Sequence, residues 1–470
     1  MLLAAVLVKL VLAAYLFQLG ACASPETVAA PLARAIGDTP SYLDAIDNYI
    51  ETGEYFFWNG AQRVRASRMP HYGTVYYAFR LFLGQRAAYT AVALTQIVAA
   101  AAAALALAAF AWRVTQRRRV FFGVLVLELV TLQSASFDLM LLPESLSVSA
   151  LCGLVLFQQR ALEEDGWSSI ALSGACLAVL VALKPYMVCL VPVVLAERWY
   201  RRRREDQPAR LAKQALVVVL LVALPILPWT IRNYGVYGRL VPFQINIYAG
   251  YLYSDADLAV RRFIQSWGGS FVWWDKRSAG CYFQPSRYAC DVSSRDIPLA
   301  EGYVRTDIER VRAHYVSLQA NRTPEGDQRV AREVDRLTDR YRADHWLAFH
   351  LIAPLKLVRE FLFHSGSYFF PVAPGQPCFR SFHWVMKLAQ SGLYYLALSL
   401  GTVGLVLVAR GRRITLLPVL VPLYLIALFC VVLRAPEFRY FLHAHPLLLL
   451  GVGLALGGAV RPERSVDLPR

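Results

Sequence analysis

Long apolar runs separated by short polar segments form the main pattern of the chain. These runs are residues 1–21, 87–112, 120–132, 139–157, 170–183, 186–196, 211–231, 385–409, 414–433 and 441–460. A helix that crosses the hydrocarbon layer of a membrane needs about 20 apolar residues. The pattern therefore predicts an all-α polytopic membrane protein with a bundle of about ten helices, the shorter of which reach only part of the way across.

The apolar stretch between residues 170 and 196 is interrupted by Lys184 and Pro185. Proline removes a backbone donor and disfavours helix in the residue before it. We expect two short helices that meet near one membrane face, with Lys184 at their apex. A lysine in such a position must reach the interface or pair with a phosphate or a carboxylate.

Arginine clusters between the apolar runs predict the orientation of the bundle. The clusters are Arg113 with 117–119, Arg198 with 201–204, Arg410 with 412–413, and Arg461 with Arg464. Basic residues mark the cytoplasmic side, and alternating spans place all four clusters and both termini there. The first run lacks the basic start of a signal peptide, which favours an uncleaved span. The extracytoplasmic face then receives residues 23–86, a turn at 134–138, Lys184, residues 232–384 and a turn at 434–440.

Composition fits a membrane protein and argues against a nucleic-acid partner. Of the 470 residues 17% are charged, and the formal net charge is +16, whereas soluble domains carry about 25% charged residues. Because the basic residues lie in short segments between apolar runs, we expect membrane lipids, and no nucleic acid, around them. The predicted localisation is the bacterial cytoplasmic (inner) membrane.

Three regions are expected along the chain. Residues 1–231 form an N-terminal transmembrane module whose first extracytoplasmic loop, 23–86, carries amphipathic helices and the proposed active site. Residues 232–384 form a large extracytoplasmic loop with a charged helix at 324–344 and an interfacial helix within 345–370. Residues 385–470 supply the C-terminal spans and a short cytoplasmic tail. We find no internal repeat.

The eight cysteines are too scattered for a disulfide scaffold or a zinc site. Cys281 and Cys290 lie in the long polar segment and would close a short loop in an oxidising compartment; both the paired and the free state stay open. His443 and His445 lack the further ligands that a metal needs. We therefore expect no metal and no cofactor, although a divalent ion would be compatible with this chemistry.

Asp38 is the first candidate for chemistry. It precedes Thr39 and Pro40, which is typical of a helix N-cap, and it would also serve as a general base at the mouth of a membrane cavity. Arg68, beside Pro70, is a candidate ligand for a lipid phosphate. Interfacial arginines are commonly anchors, so both readings stay open for it.

Further candidates lie on the same predicted face. Lys184, Arg232 and Arg439 add cations; these three and Arg68 are the expected ligands of the donor and its lipid phosphate. The expected supporting residues of the cavity are Tyr42, Tyr72, Asp138 and Glu144. One carboxylate with several cations suits the transfer of a group from a lipid phosphate, because the cations stabilise the charge that grows on the departing phosphate.

The order of these motifs resembles the GT-C superfamily of glycosyltransferases that use polyprenyl-phosphate sugars, in particular the bacterial branch of lipid A aminoarabinose transferases and protein O-mannosyltransferases. The matching segments are 38–53 (DTPSYLDAIDNYIETG), 68–84 (RMPHYGTVYYAFRLFLG), 142–146 (LPESL), 174–185 (GACLAVLVALKP), 228–242 (PWTIRNYGVYGRLVP) and 439–446 (RYFLHAHP). The family commonly has Asp-Glu where this chain has Asp38-Thr39. The lost acid weakens a metal hypothesis and leaves Asp38 as the carboxylate of that motif, with Asp44 and Asp47 nearby.

The resemblance implies a GT-C-like bundle with extracytoplasmic loops that carry interfacial helices. It implies a polyprenyl-phosphate-sugar donor, with Asp38 as the catalytic carboxylate and Arg68 and Lys184 on the lipid phosphate. The expected reaction moves a sugar, as a hexosyl or pentosyl group and with inversion, to a lipid, glycan or protein acceptor. Two alternatives remain at this point: a transporter or flippase of lipid-linked substrates, and a catalytically silent scaffold.

Overall fold

The computed structural model of the protein is almost entirely helical. It describes residues 1–59, 62–66, 68–202, 208–244, 247–248, 251–252, 254–269, 278–283, 305–364, 370–411 and 414–457. Within these residues five helices are long and apolar enough to cross a membrane, and a sixth span is possible if a helix pair bent by 56° is counted as one. The predicted all-α polytopic membrane fold is confirmed.

The N-terminal helices are α1 Leu2–Ala23, α2 Thr39–Thr52, α3 His71–Arg80, α4 Gln85–Thr115, α5 Arg118–Val130, α6 Leu132–Asp138, α7 Glu144–Glu164, α8 Trp167–Leu183, α9 Leu190–Arg202 and α10 Pro208–Tyr237. The later helices are α11 Asp255–Ser266, α12 Ala279–Phe283, α13 Arg305–Ala320, α14 Pro324–Asp344, α15 Ala353–Leu362, α16 Ser381–Leu396, α17 Thr402–Gly411, α18 Leu417–Ile426 and α19 His445–Leu456. Single π-helical segments precede α15, join α16 to α17 and follow α18.

Three short antiparallel hairpins accompany the helices. They pair β1 Val28–Ala30 with β2 Ala33–Arg34, β3 Phe57–Asn59 with β4 Gln62–Val64, and β5 Ile247–Tyr248 with β6 Tyr251–Leu252. The first two hairpins lie in the loop between α1 and α4, where the sequence predicted amphipathic helices alone. Both α2 and α3 are amphipathic helices of that loop, as predicted.

The contacts divide the chain into two compact units. The first contains Met1–Tyr251, Ser365–Pro422 and Leu442–Arg470, and the second contains Leu252–His364 and Leu423–Phe441. The division into 1–231, 232–384 and 385–470 stays a prediction, because these units group residues by contact and not by membrane side.

In the first unit, α4 packs against α1, α5 and α7, and α8 packs between α7 and α10. Close approach of α19 to the segment that joins α16 and α17 requires glycine: a Cβ on Gly401 would collide with the carbonyl oxygen of Leu448, and one on Gly451 with that of Gly401. These glycines allow the C-terminal helices to close against the bundle that carries the candidate residues.

The second unit has its own apolar core. Helices α11, α13 and α14 bury Phe263, Trp267 and Tyr315. Asp257 links α11 to α13 and to the segment before α14. Its carboxylate accepts hydrogen bonds from Tyr315 Oη at 2.5 Å and from Arg322 Nη2 at 2.9 Å. Burial opposes the ionisation of Asp257, but the bonds from Arg322 and Tyr315 outweigh it and lower the pKa of this carboxyl.

The charged helix predicted at 324–344 is α14, with the same limits, but two other expectations need correction. Residues 134–138 form helix α6 and not a turn. The apolar run at 139–157 becomes helical only at Glu144, since Pro143 stands at the N-cap of α7. The helix expected within 345–370 is α15, which ends at Leu362, and its interfacial position stays a prediction.

The cysteines also differ from expectation. Cys22, at the end of α1, forms a disulfide with Cys378, and their Cα atoms lie 6.1 Å apart. Nothing in the spacing signals this pair, because the two cysteines are separated by 356 positions. Cys281 is disulfide-bonded, whereas Cys290, its predicted partner, lies outside the described residues. So do the predicted cytoplasmic tail beyond Gly457 and the arginines at 203–204 and 412–413.

Candidate active site

Asp38 lies at the N-cap position of α2 but does not act as a cap. Its side chain makes no capping hydrogen bond. Instead, Asp38 Oδ2 lies 3.8 Å from Arg68 Nη2, and only 10% and 15% of the two side chains are exposed. The capping reading of Asp38 is therefore not supported. The carboxylate faces a cation that comes from a different part of the first loop.

Arg68 is held on two further sides. Its Nε donates to Ser41 Oγ at 3.3 Å, and Ser41 Oγ in turn donates to the carbonyl oxygen of Asp38 at 2.7 Å. The guanidinium carbon lies 4.8 Å from the centre of the Tyr42 ring, a distance that allows cation–π attraction. The first turn of α2 thus fixes the plane of the Arg68 guanidinium beside Asp38.

Tyr55 connects Arg68 to Arg232. The Tyr55 hydroxyl donates to the carbonyl oxygen of Arg68 at 3.2 Å, and Arg232 Nη2 donates to the carbonyl oxygen of Tyr55 at 2.8 Å. Arg232 also bonds the carbonyl oxygen of Arg65, and the Tyr55 ring meets Trp229 edge-on at 5.5 Å. Arg232 therefore braces the loop that carries Arg68. Burial raises the pKa of Tyr55, so its hydroxyl stays protonated.

An open cavity of about 960 Å³ lies beside this loop. Its walls combine apolar residues with several polar and charged ones. The lining residues are Ile46, Tyr49, Gly53, Glu54, Tyr55, Arg65, Pro70, His71, Thr74, Tyr77, Leu224, Pro225, Pro228, Trp229, Arg232 and Val236. His71 Nε2 lies 3.0 Å from the carbonyl oxygen of Pro225. Burial lowers the pKa of His71, so the cations of the cavity at neutral pH are Arg65 and Arg232.

Lys184 lies at the predicted break, between the end of α8 and a short 3₁₀ turn at Pro185–Cys189. Its Nζ donates to Glu144 Oε1 at 2.7 Å, with 7% and 3% of the side chains exposed. Of the two predicted partners, phosphate or carboxylate, the structure supplies a carboxylate. Burial and the charge of Glu144 raise the pKa of Tyr72, a residue of α3.

Tyr72 extends the contacts of the Asp38 region to Gln96. Its ring meets Tyr42 edge-on at 5.7 Å, and its hydroxyl donates to Gln96 Oε1 at 3.0 Å. Tyr42 is the ring that lies beside the Arg68 guanidinium. Asp38, Arg68, Tyr42, Tyr72 and Gln96 therefore lie in one continuous set of contacts.

Asp138 reaches this set only through its backbone. Gln96 Nε2 donates to the carbonyl oxygen of Asp138 at 3.0 Å, whereas the Asp138 carboxylate points to Lys9 Nζ at 3.2 Å and accepts from Ser145 Oγ at 2.6 Å. Lys9, Asp138 and Glu128 line a cavity of about 30 Å³ between the helices, which is room for one or two water molecules. The side chain of Asp138 thus pairs with Lys9 and Ser145 inside the helix bundle.

Arg439 belongs to the second compact unit. Its Nε lies 2.6 Å from Glu437 Oε1, and its guanidinium lies 5.4 Å from the centre of the Tyr440 ring. Within this unit Arg439 is an arginine of the short segment before α19, paired with a carboxylate of the same segment.

Sequence reasoning missed four residues that organise the site: Lys9, Ser41, Tyr55 and Gln96. All four take part in hydrogen bonds with residues more than 10 positions away, and local spacing does not signal such contacts. Ser41, three residues after Asp38, was visible only as part of the first turn of α2. The two other carboxylates of α2 differ from Asp38. Asp47 accepts from Tyr76 Oη at 2.9 Å, and burial together with the charge of Asp47 raises the pKa of Asp44 to about 6. No group of three metal-ligating side chains occurs among the described residues.

These helices, with the ion pairs Lys9–Asp138 and Lys184–Glu144 buried among them, define a polytopic membrane protein. A family model described as dolichyl-phosphate-mannose-protein mannosyltransferase matches residues 78–229. The match covers about a third of the chain, and it supports the similarity to the GT-C superfamily of membrane glycosyltransferases. The resemblance stated from the motifs is confirmed at that level.

Two solved structures of ArnT from Cupriavidus metallidurans are similar to the chain at low scores. The structure bound to undecaprenyl phosphate has a TM-score of 0.37 and 14% identity, over 96% of this chain and 78% of that chain. The apo structure has a TM-score of 0.33 and 15% identity, over 89% of this chain and 72% of that chain. No curated protein matches the chain at a significant level.

Proposed function

We propose that the protein is a glycosyltransferase that takes a sugar from a polyprenyl-phosphate donor and passes it, with inversion, to a lipid, glycan or protein acceptor. The observation that carries the proposal is the approach of Asp38 Oδ2 to Arg68 Nη2, 3.8 Å apart in a mostly buried setting. A base and a cation at this separation leave room for an acceptor hydroxyl on one and a phosphate oxygen on the other. The family description, which names dolichyl-phosphate-mannose, supports a donor of the polyprenyl-phosphate class.

In this reaction the Asp38 carboxylate accepts the proton of the acceptor hydroxyl. The acceptor oxygen forms a bond to the anomeric carbon as the bond from that carbon to the phosphate oxygen breaks. The bonding pair leaves with the phosphate, and the Arg68 guanidinium stabilises the charge that grows there. The products are the glycosylated acceptor, polyprenyl phosphate and a protonated Asp38, which then returns its proton to water. No step needs a cofactor. A divalent ion is not part of the proposal.

The cavity of about 960 Å³ beside Tyr55 suits the donor's lipid. A chain of isoprene units is apolar, as are the walls formed by Leu224, Pro225 and Trp229, and Arg232 adds a cation for the phosphate end. Tyr55 lines this cavity and bonds the backbone of Arg68, so a lipid in the cavity lies next to the proposed reacting centre. Lys184 is proposed as a further donor ligand that acts with Glu144.

We propose that the site faces the extracytoplasmic side of the bacterial inner membrane. The Cys22–Cys378 disulfide supports this side, because disulfides persist in oxidising compartments. Cys22 lies at the end of α1, directly before the loop that carries Asp38. The arginine clusters 117–119 and 201–202 lie at the other ends of the helices, as the excess of basic residues on cytoplasmic segments requires.

The test compares two carboxylate variants on the same helix. Cells that lack the gene are complemented with wild type, Asp38→Asn or Asp44→Asn, at equal protein abundance in the membrane. Asp44 is a matched control because it is a carboxylate of the same helix, α2. Mass spectrometry then measures envelope glycans and lipids. We expect Asp38→Asn to lose the transferred sugar and to accumulate the polyprenyl-phosphate sugar, and Asp44→Asn to restore the product.

The alternative of a transporter or flippase predicts another outcome. Transport needs cations to bind phosphate but needs no base, so Asp38→Asn would restore the envelope product as wild type does. That result would remove Asp38 as the base. A second assay with purified protein in vesicles, a polyprenyl-phosphate sugar on one face and acceptor on the same face, measures transfer without any need for translocation.

A further inference from the structure

A groove lies between the start of α5 and the end of α19, far from the proposed active site. It encloses about 990 Å³, and its lining includes Arg117–Arg119, Gly123, Gly453 and Gly457. Helix α4 runs the whole distance between the two regions, from Gln85 to Thr115. Its 31 residues correspond to about 46 Å. The groove is therefore at the opposite membrane boundary from Asp38.

The arginines of this groove differ from their neighbours at the same end of the bundle. Four of those neighbours pair with carboxylates: Arg113 with Glu163 and Glu164, Arg160 with Glu164, Arg201 with Glu197, and Arg210 with Asp165. In the part of the chain that the structure describes, no carboxylate forms an ion pair with Arg117, Arg118 or Arg119. Arg117 Nη1 instead donates to the carbonyl oxygen of Gly457 at 2.7 Å, which turns it across the groove.

Below the arginines the groove is apolar. Phe122 and Val126 project from one face of α5 and are 53% and 55% exposed. Leu127 and Leu456 complete the wall. Gly123 leaves room beside it, because a Cβ placed there would meet nothing within 4 Å. A ligand that fills this groove must have an anionic head at the boundary and an apolar chain within the hydrocarbon layer.

We propose that this groove binds an anionic phospholipid. The phosphate would lie among Arg117, Arg118 and Arg119, and an acyl chain would lie along Phe122 and Val126. Basic pockets between membrane helices commonly hold such head groups on the cytoplasmic side. The first turn of α5 adds the partial positive charge of a helix N-terminus. A free phosphate would use the arginines but would leave the apolar wall empty, so the geometry favours the lipid.

Native mass spectrometry of the full-length protein in detergent tests this site. The titrated lipids are phosphatidylglycerol and phosphatidylcholine with the same acyl chains. We expect wild type to prefer phosphatidylglycerol and Arg118→Gln/Arg119→Gln to weaken its binding by roughly 10- to 30-fold, since each basic residue near the surface contributes about one factor of five. A charge-matched control, Lys213→Gln/Arg410→Gln, removes two exposed cations elsewhere and should change binding by less than about twofold.

A second variant keeps the charges and fills the space. A Cβ at position 123 would meet nothing within 4 Å, so we expect Gly123→Phe to be accommodated and to weaken phosphatidylglycerol binding at least about fivefold by excluding part of the chain. Thermal unfolding confirms that each variant is folded. Equal binding of the two lipids, equal losses in the control pair, or unchanged binding in Gly123→Phe would each overturn the proposal. Displacement of the lipid by excess inorganic phosphate would also overturn it, in favour of a free-anion site.

Discussion

Lys184 and Glu144 form an ion pair at 2.7 Å in which less than a tenth of either side chain is exposed. From the sequence, Lys184 was predicted to pair with a phosphate or a carboxylate, and Glu144 was predicted separately as a supporting residue of the cavity. Because the two charges balance, the pair attracts a donor phosphate less strongly than an isolated lysine would. Its energetic role and its role in donor binding therefore need separate tests.

Breaking the pair from one side should be costly. Lys184→Met leaves Glu144 buried with its charge uncompensated, and removal of one partner of a buried pair typically destabilises a protein by about 3–5 kcal/mol. The double variant Lys184→Met/Glu144→Leu should recover most of this loss, since an apolar pair of similar volume is commonly tolerated. Thermal and denaturant unfolding in detergent measure both effects.

Activity separates the two roles of Lys184. If Lys184 contacts the donor phosphate, the double variant is stable and still inactive, with an increased KM for the polyprenyl-phosphate sugar. Recovery of full activity together with stability would show that the pair is structural only. Recovery of neither would show that the apolar pair does not fit the site.

Arg68 should be sensitive even to a charge-conserving change. Lysine keeps the cation but loses the planar guanidinium that bonds Ser41 and lies over Tyr42. We expect Arg68→Gln to lower kcat by about 100-fold or more, the usual effect of removing one group that stabilises transition-state charge, and Arg68→Lys to give an intermediate value. Arg63→Gln serves as control, because Arg63 is exposed and its ion pair with Glu54 lies at the surface. A wild-type rate in Arg68→Gln would contradict the assignment.

The fold was predictable where local sequence decides it. Thr323 caps α14 and Pro324 opens it, and both signals are local, so its limits agree with the sequence. Likewise, Pro185 breaks the helix after α8 through its own backbone. The short hairpins were missed because two- and three-residue strands carry too little alternation to be recognised.

The candidate site was predictable as a set of residues but not as a set of contacts. Asp38, Arg68 and Lys184 stand out because charged side chains at a membrane boundary are energetically unfavourable and are commonly retained for a function. Their partners depend on which helices pack together: Lys9 meets Asp138 across 129 positions, and Arg232 meets Tyr55 across 177. Such pairs follow from tertiary packing, which hydropathy and spacing do not encode.

Asp44 should make the stability of the protein depend on pH. Burial and the nearby Asp47 raise its pKa to about 6, above its ordinary value. A raised folded-state pKa means that the stability contributed by the protonated form is complete below the unfolded pKa and is lost as pH rises through about 6. Asp44→Asn should therefore match wild type near pH 4 and have the higher Tm at pH 8. A Tm difference that does not change with pH would contradict this pKa.

The Cys22–Cys378 disulfide should stabilise the protein, and its cysteines should report on which side of the membrane the end of α1 lies. It joins cysteines 356 positions apart. Its reduction should therefore lower the free energy of unfolding by about 2–4 kcal/mol, because the unfolded chain is no longer constrained by a long closed loop. Non-reducing digestion should release a linked pair of peptides that contain Cys22 and Cys378. In Cys378→Ser the remaining Cys22, which is exposed, should react in intact cells with a maleimide that crosses the outer but not the inner membrane. Cys189→Ser controls for labelling of a free cysteine. Labelling of Cys22 only after lysis would place this end of α1, and Asp38 with it, on the cytoplasmic side.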